Sequence, residues 1–136
     1  MVRLIMGGKG SGKTKQLIEL INNAAKDEPG NVVCIEANRN MTYDIHYHIR
    51  LIDAQEYKLT NYDLMRGFIS GLYSGNYDIT HVFIESLNKQ VPTVGNADVE
   101  PFLDWLESFS EKTGIKYTVS ISEDASLASE GVRKYF

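Results

Sequence analysis

Val2-Arg3-Leu4-Ile5-Met6-Gly7-Gly8-Lys9-Gly10-Ser11-Gly12-Lys13-Thr14 is an apolar run that passes directly into glycines and then into a Lys-Thr pair. Val2, Leu4, Ile5 and Met6 read as a buried strand ending at a glycine turn. Beyond Gly12, Leu17, Leu20, Ile21, Ala24 and Ala25 recur at helical spacing until Pro29-Gly30 stops the helix. A strand, a glycine turn and a helix in that order aim backbone N–H groups and a helix N-terminus at one anion. Gly7, Gly12, Lys13 and Thr14 also satisfy the phosphate-loop spacing Gly-x4-Gly-Lys-Thr. Gly7, Gly10 and Gly12 permit close backbone approach and positive φ, Lys13 neutralises β and γ phosphates, and the Thr14 hydroxyl completes a magnesium shell. The eight residues Gly7, Gly8, Lys9, Gly10, Ser11, Gly12, Lys13 and Thr14 are therefore the expected nucleotide cradle, with ATP and Mg2+ the expected ligands.

Outward from the loop, Val32-Val33-Cys34-Ile35 is an unalternating apolar run, the pattern of a strand covered on both faces, and it completes a βαβ unit. Asp44, His46, His48 and Arg50 alternate with Ile45, Tyr47, Ile49 and Leu51, which predicts a half-exposed strand. Leu64, Met65, Phe68, Ile69, Leu72 and Tyr73 form a helical stripe, and Gly67 and Gly71 predict close packing of that helix on the sheet. Val82, Phe83 and Ile84 read as a third buried strand ending at Glu85. The connection from Ser86 to Asp98 is polar and contains Pro92 and Gly95. A further helix follows, carrying Val99, Phe102, Leu103, Leu106 and Phe109, with Asp98 as its cap and Gly114 as its terminator. Ile115, Tyr117, Val119 and Ile121 then alternate with Lys116, Thr118, Ser120 and Ser122, which predicts a strand more exposed than the others. The expected fold is a three-layer α/β P-loop NTPase fold with a mainly parallel central sheet, its first three strands buried centrally, and residues 1–136 forming a single domain.

Two carboxylates extend the site. A magnesium nucleotide needs an acid at the end of a neighbouring strand, and Glu85 in His81-Val82-Phe83-Ile84-Glu85-Ser86 occupies such a position. Hydrolysis also needs a group that orients or deprotonates water, and Glu36 closes the strand after the first helix, on the same edge as the phosphates. The phosphate loop, the strand ending in Glu36 and the later segment Ile84-Glu85-Ser86-Leu87 together resemble the RecA-type ATPase core. That resemblance implies that Glu36 polarises the attacking water and that Glu85-Ser86-Leu87 is the Walker B segment, where Asp is usual and Glu reaches farther. The chain as a whole resembles small bacterial P-loop proteins sometimes labelled twitching-motility or pilus-retraction ATPases, but it lacks the length for the separate N-terminal domain of a pilus motor.

With 136 residues, 43% apolar and 24% charged, the chain has the composition of one globular domain. A net charge of -4 disfavours a nucleic-acid partner, and Lys9, Lys13 and Lys15 crowd the phosphate loop instead. The lone Cys34 leaves no disulfide or thiolate zinc site, and the short run before Gly7 is no signal-peptide core or membrane span, so the expectation is cytoplasmic. Asn88-Lys89-Gln90-Val91 starts like a guanine-reading motif but lacks its Asp. His46 and His48 could share a metal only with a third ligand, and Phe102, Trp105 and Phe109 read as core or partner surface rather than a base-stacking platform. Three functions fit: a Mg-dependent ATPase, a small-molecule kinase with a substrate pocket in Arg39 to Arg50, or a non-catalytic nucleotide sensor read by a protein partner or by other copies of the chain.

Overall fold

The computed structural model describes residues 1–37, 44–92 and 98–136. In chain order the elements are β1 (Val2–Met6), α1 (Lys13–Asp27), β2 (Asn31–Glu36), β3 (Arg50–Asp53), α2 (Tyr62–Gly75), β4 (Ile79–Ile84), α3 (Leu87–Gln90), α4 (Val99–Thr113) and β5 (Lys116–Ile121). A 3-10 turn at Ala125–Leu127 and a short α5 (Glu130–Arg133) follow. The strands form one five-stranded sheet in the order β1-β5-β4-β2-β3, every pair parallel. Parallel strands need crossovers, so both faces are covered and the strands are apolar on both sides. On one face Leu17, Ile21 and Ala24 of α1 pack with Ile45 and Ile49 against Ile5, Val32, Cys34 and Phe83. On the other, Met65 and Ile69 of α2 and Phe102, Leu103 and Leu106 of α4 pack against Leu4, Val33, Ile35, Val82, Ile84 and Val119. Each of these large side chains contributes about 1.5–3 kcal/mol by leaving water. The result is the three-layer α/β P-loop NTPase fold expected from the sequence.

The position of β5 differs from expectation. It is the middle partner of β1 and β4, not an exposed flank, and β1 is an edge strand. The alternating Thr118 and Ser120 are buried, at 5% and 0% exposure, because each has a partner. Thr118 Oγ1 lies 2.9 Å from His81 Nε2, and Ser120 Oγ accepts from the Ser86 amide at 2.8 Å. A short hydroxyl with a hydrogen bond can be buried as readily as an apolar residue, so polarity alternation misreports exposure here. The outer edge of β1 is partly closed by the chain itself: the Leu4 amide donates to the Tyr135 carbonyl at 2.7 Å and the Val2 amide to Glu107 Oε2 at 2.8 Å.

Three local expectations are also corrected. Residues 44–49 are turns rather than strand, and pairing begins only at Arg50. Ile45 and Ile49 are both buried on α1, while the Asn22 side chain bonds the Asp44 carbonyl and the His46 amide, so the alternation came from a tethered turn. Gly67 and Gly71 lie on the exposed face of α2, where an added Cβ would meet nothing within 4 Å, so they do not mediate close packing. Asp98 makes no side-chain cap, whereas Asn61 caps α2 by accepting from the Leu64 amide at 2.8 Å. Gly114 does end α4, at φ 78°. Arg39 and Tyr43 of the expected substrate pocket, and Gly95 of the later connection, lie outside the described residues.

His81, at the amino end of β4, ties pH to this packing. Its ring stacks on Phe83 at 4.2 Å, and Nδ1 is 3.8 Å from Glu28 Oε2, which also accepts from Lys116. Burial pushes the imidazole down to about 4 despite the opposing Glu28 carboxylate. A base whose folded value lies below its unfolded one of about 6.5 stabilises the fold above pH 6.5 and loses that stabilisation as pH falls through the folded value. The urea midpoint of the parent should therefore drop between about pH 6.5 and 4 more steeply than that of His81→Gln. Equal slopes would mean that His81 titrates alike in both states.

Candidate functional site

The site is built where five strands end on one edge of the sheet. Met6 leads into Gly7, whose amide donates to the Ile121 carbonyl at 3.3 Å, so the phosphate loop starts from a strand end fixed to β5. A Cβ at Gly7 would meet Ser11 Oγ at 2.4 Å, and Gly12 adopts φ 79°, a left-handed conformation that glycine enters without strain. Gly12 is the N-cap of α1, it offers no side-chain cap, and the first turn carries no acid. The unpaired amides of that turn and the positive end of the helix therefore face the cleft with no internal anion to satisfy them.

Lys13 points across the loop, and its Nζ donates to Ser122 Oγ at 3.0 Å. Ser122 Oγ is 2.7 Å from Ser86 Oγ, and Ser86 Oγ donates to Glu85 Oε2 at 2.5 Å. Because an ionised carboxylate only accepts, the proton order is fixed: Lys13 donates to Ser122, Ser122 to Ser86, and Ser86 to Glu85. The second oxygen, Glu85 Oε1, accepts from the Ala37 amide at 3.0 Å, where the chain leaves β2. Burial lowers the Lys13 ammonium below its ordinary value, with Glu85 opposing that shift and Lys89 adding to it. The cleft is about 610 Å³ and is lined by Gly7 to Lys15, Glu85, Ser86, Lys89 and Ser122.

Residues that sequence reasoning missed hold this arrangement. Ser86 has φ 49°, and its amide is held by Ser120 Oγ. The Ser122 amide donates to Asn88 Oδ1 at 2.9 Å, and Asn88 Nδ2 reaches back to the Ser122 carbonyl at 3.5 Å. Gln90 Nε2 donates to the Glu85 carbonyl at 2.6 Å and the Ile35 carbonyl at 3.1 Å, locking α3 to the ends of β4 and β2. Asn88 and Gln90 are thus engaged with the strand tips. The available signal was the run of hydroxyls and amides at the ends of two strands, in Ser86 to Gln90 after β4 and Ser120 to Ser122 at the end of β5.

The sequence-predicted residues divide. The loop from Gly7 to Thr14 and Glu85 line one cleft. Glu36 does not line it: it ends β2 opposite Asp53, is 2% exposed, and its carbonyl accepts from the Ala54 amide at 3.0 Å. A second cleft of about 410 Å³ begins at the next residue and is lined by Ala37, Ala54, Gln55, Leu59, Thr60, Lys89, Gln90 and Pro92. Among the described residues no group of three or more His, Cys, Asp or Glu is placed to hold a metal, so His46 and His48 gain no third ligand there; the His46 ring stacks on those of Tyr47 and His48. Phe102 is core, and Trp105 and Phe109 pack partly buried beside it.

No protein-family model and no curated protein matches the chain. Among solved structures, it is similar to a KaiC-like protein from the hyperthermophilic archaeon Pyrococcus horikoshii, with a TM-score of 0.66 and 15% identity over 98% of this chain. The chain spans 66% of the length of that protein. At that identity the likeness shows a shared α/β fold. No helix among the described residues is long and apolar enough to cross a membrane.

The left-handed Gly12 gives the site a direct test. Gly12→Ala forces an L-residue to φ 79° at the helix start and should cost about 1–2 kcal/mol in chemical denaturation. An unchanged midpoint would mean that the loop readily takes another backbone path.

Proposed function

We propose that the chain binds Mg-ATP at Gly7 to Thr14 and hydrolyses it, acting as a cytoplasmic ATPase. The observation that carries this reading is the bridge from Lys13 through Ser122 and Ser86 to Glu85, beneath an uncapped helix N-terminus in one cleft. Charge is placed there for a polyphosphate: amides and Lys13 receive the β and γ phosphates, and binding releases Lys13 from Ser122.

Thr14 and Glu85 supply a hydroxyl and a carboxylate on the same cleft, the hard oxygen donors that magnesium accepts alongside water and phosphate. Bound there, the ion would neutralise charge on the β and γ oxygens. Glu36 is the candidate base for the attacking water, from its position at the carboxyl end of β2 and from the RecA-type resemblance. The assignment requires a route from its buried carboxylate to the cleft. Adenine is preferred over guanine because Asn88 is engaged by Ser122 and Gln90 is buried. Protein partners or self-association remain part of the proposal, and pilus retraction does not.

A second reading, a small-molecule kinase, is favoured by one feature. The cleft of about 410 Å³ adjoins the phosphate cleft and shares Lys89 with it, so a phosphoryl acceptor has a place to sit.

Thermal unfolding with and without Mg-ATP tests the binding. At a hundredfold excess over Kd the parent should gain about 2.7 kcal/mol, and Lys13→Ala should lose that gain. Equal stabilisation of both would remove Gly7 to Thr14 as the site. Turnover tests the chemistry: Glu36→Gln should retain ATP binding while kcat falls about a hundredfold, the range of general-base loss. Unchanged kcat would leave a nucleotide-responsive binding module without this base.

A further inference from the structure

The segment after β4 is pinned at nearly every residue. Leu87 and Val91 are buried in the core at 0% and 3% exposure. Ser86 is held by Ser120 and Glu85, Asn88 by both backbone groups of Ser122, and Gln90 by two carbonyls. Lys89 alone of residues 86–91 is exposed, and it makes no ion pair with a described residue. A rigid four-residue helix therefore fixes the backbone from which one flexible ammonium projects.

Its location is specific. Lys89 lines both the phosphate cleft and the second cleft, three residues beyond Ser86. The phosphate cleft carries Lys9, Lys13, Lys15 and Lys89 against the single carboxylate Glu85. The charge of Lys89 reaches Lys13 and disfavours its protonated form. Two like charges facing one cleft repel each other until an anion lies between them. In a phosphate loop the helix N-terminus takes the inner phosphates, and the terminal phosphate extends toward the strand-end acid. Here Glu85 is the strand-end acid, and Ser86 and Lys89 line the same cleft.

We propose that Lys89 contacts the terminal phosphate of the bound nucleotide, a cation supplied by the same chain that separates triphosphate from diphosphate. The proposal rests on the nucleotide reading above. Lys89 would stabilise the charge on the γ-phosphoryl group as its bond to the β-phosphate oxygen breaks and water adds, leaving ADP and inorganic phosphate.

Calorimetric titration with Mg-ADP and with the Mg complex of a β,γ-imido ATP analogue tests it on the parent, Lys89→Met and Lys89→Arg. Lys89 is exposed, so neither substitution should move the melting temperature of the free protein. Lys89→Met should lose about tenfold or more in affinity for the imido analogue, the scale of a charge-assisted hydrogen bond, and less than about twofold for ADP. Lys89→Arg should restore most of the loss. Equal losses on both nucleotides, or none on the analogue, overturn the role of Lys89 and leave the phosphate loop intact. A parent that binds neither nucleotide overturns the site itself and Lys89 with it.

Discussion

Two hydroxyls connect the ammonium of Lys13 to the carboxylate of Glu85, and the rest of the site depends on that connection. Lys13 and Glu85 belong to different strand–helix junctions, and β5 lies between their strands. Ser122, just beyond the end of β5, fills the gap from one side, and Ser86, just beyond β4, fills it from the other. Bridging the lysine and the acid through neutral hydroxyls holds the two charges apart, each in a charge-assisted hydrogen bond to a serine.

The bridge explains why β5 has to be central although its sequence alternates with polar residues. Its inward hydroxyls hold neighbouring strands along its length and receive Lys13 just beyond its tip. Thr118 meets His81 near the amino edge, Ser120 holds the Ser86 amide, and Ser122 receives Lys13. Buried hydroxyls carry a desolvation cost of about 1–3 kcal/mol when unpaired, so each one present is a constraint on register. The left-handed Ser86 is one consequence, because φ 49° turns the chain sharply enough to bring Asn88 back onto Ser122.

Much of this was legible in the residues. Continuous apolar runs located β1, β2 and β4, and the spacing of Gly7, Gly12, Lys13 and Thr14 placed the loop between a strand and a helix. Those signals are local, and periodicity reads local structure well. Glu85 was legible because a strand end is a one-dimensional position. The neighbours Ser120, Ser122, Asn88 and Gln90 were not, since their partners lie up to 55 residues away. The Ile45 and Ile49 pair misled for a related reason: alternation and a turn anchored on α1 bury the same two positions. Gly67 and Gly71 had the spacing of a close helix contact, but the apolar stripe of α2 had already set its buried face elsewhere. Glu36 ends β2 as the apolar run predicted, but it is buried and does not line the cleft of the glycine loop, because a strand-end position does not fix what its side chain faces.

A crystal structure grown with magnesium and a slowly hydrolysed ATP analogue tests the central claim most directly. The account predicts phosphates on the amides between Gly8 and Thr14, Lys13 Nζ moved from Ser122 Oγ onto a phosphate oxygen, and the metal between the Thr14 hydroxyl and Glu85. A nucleotide seated elsewhere, with Lys13 still bonded to Ser122, would contradict it.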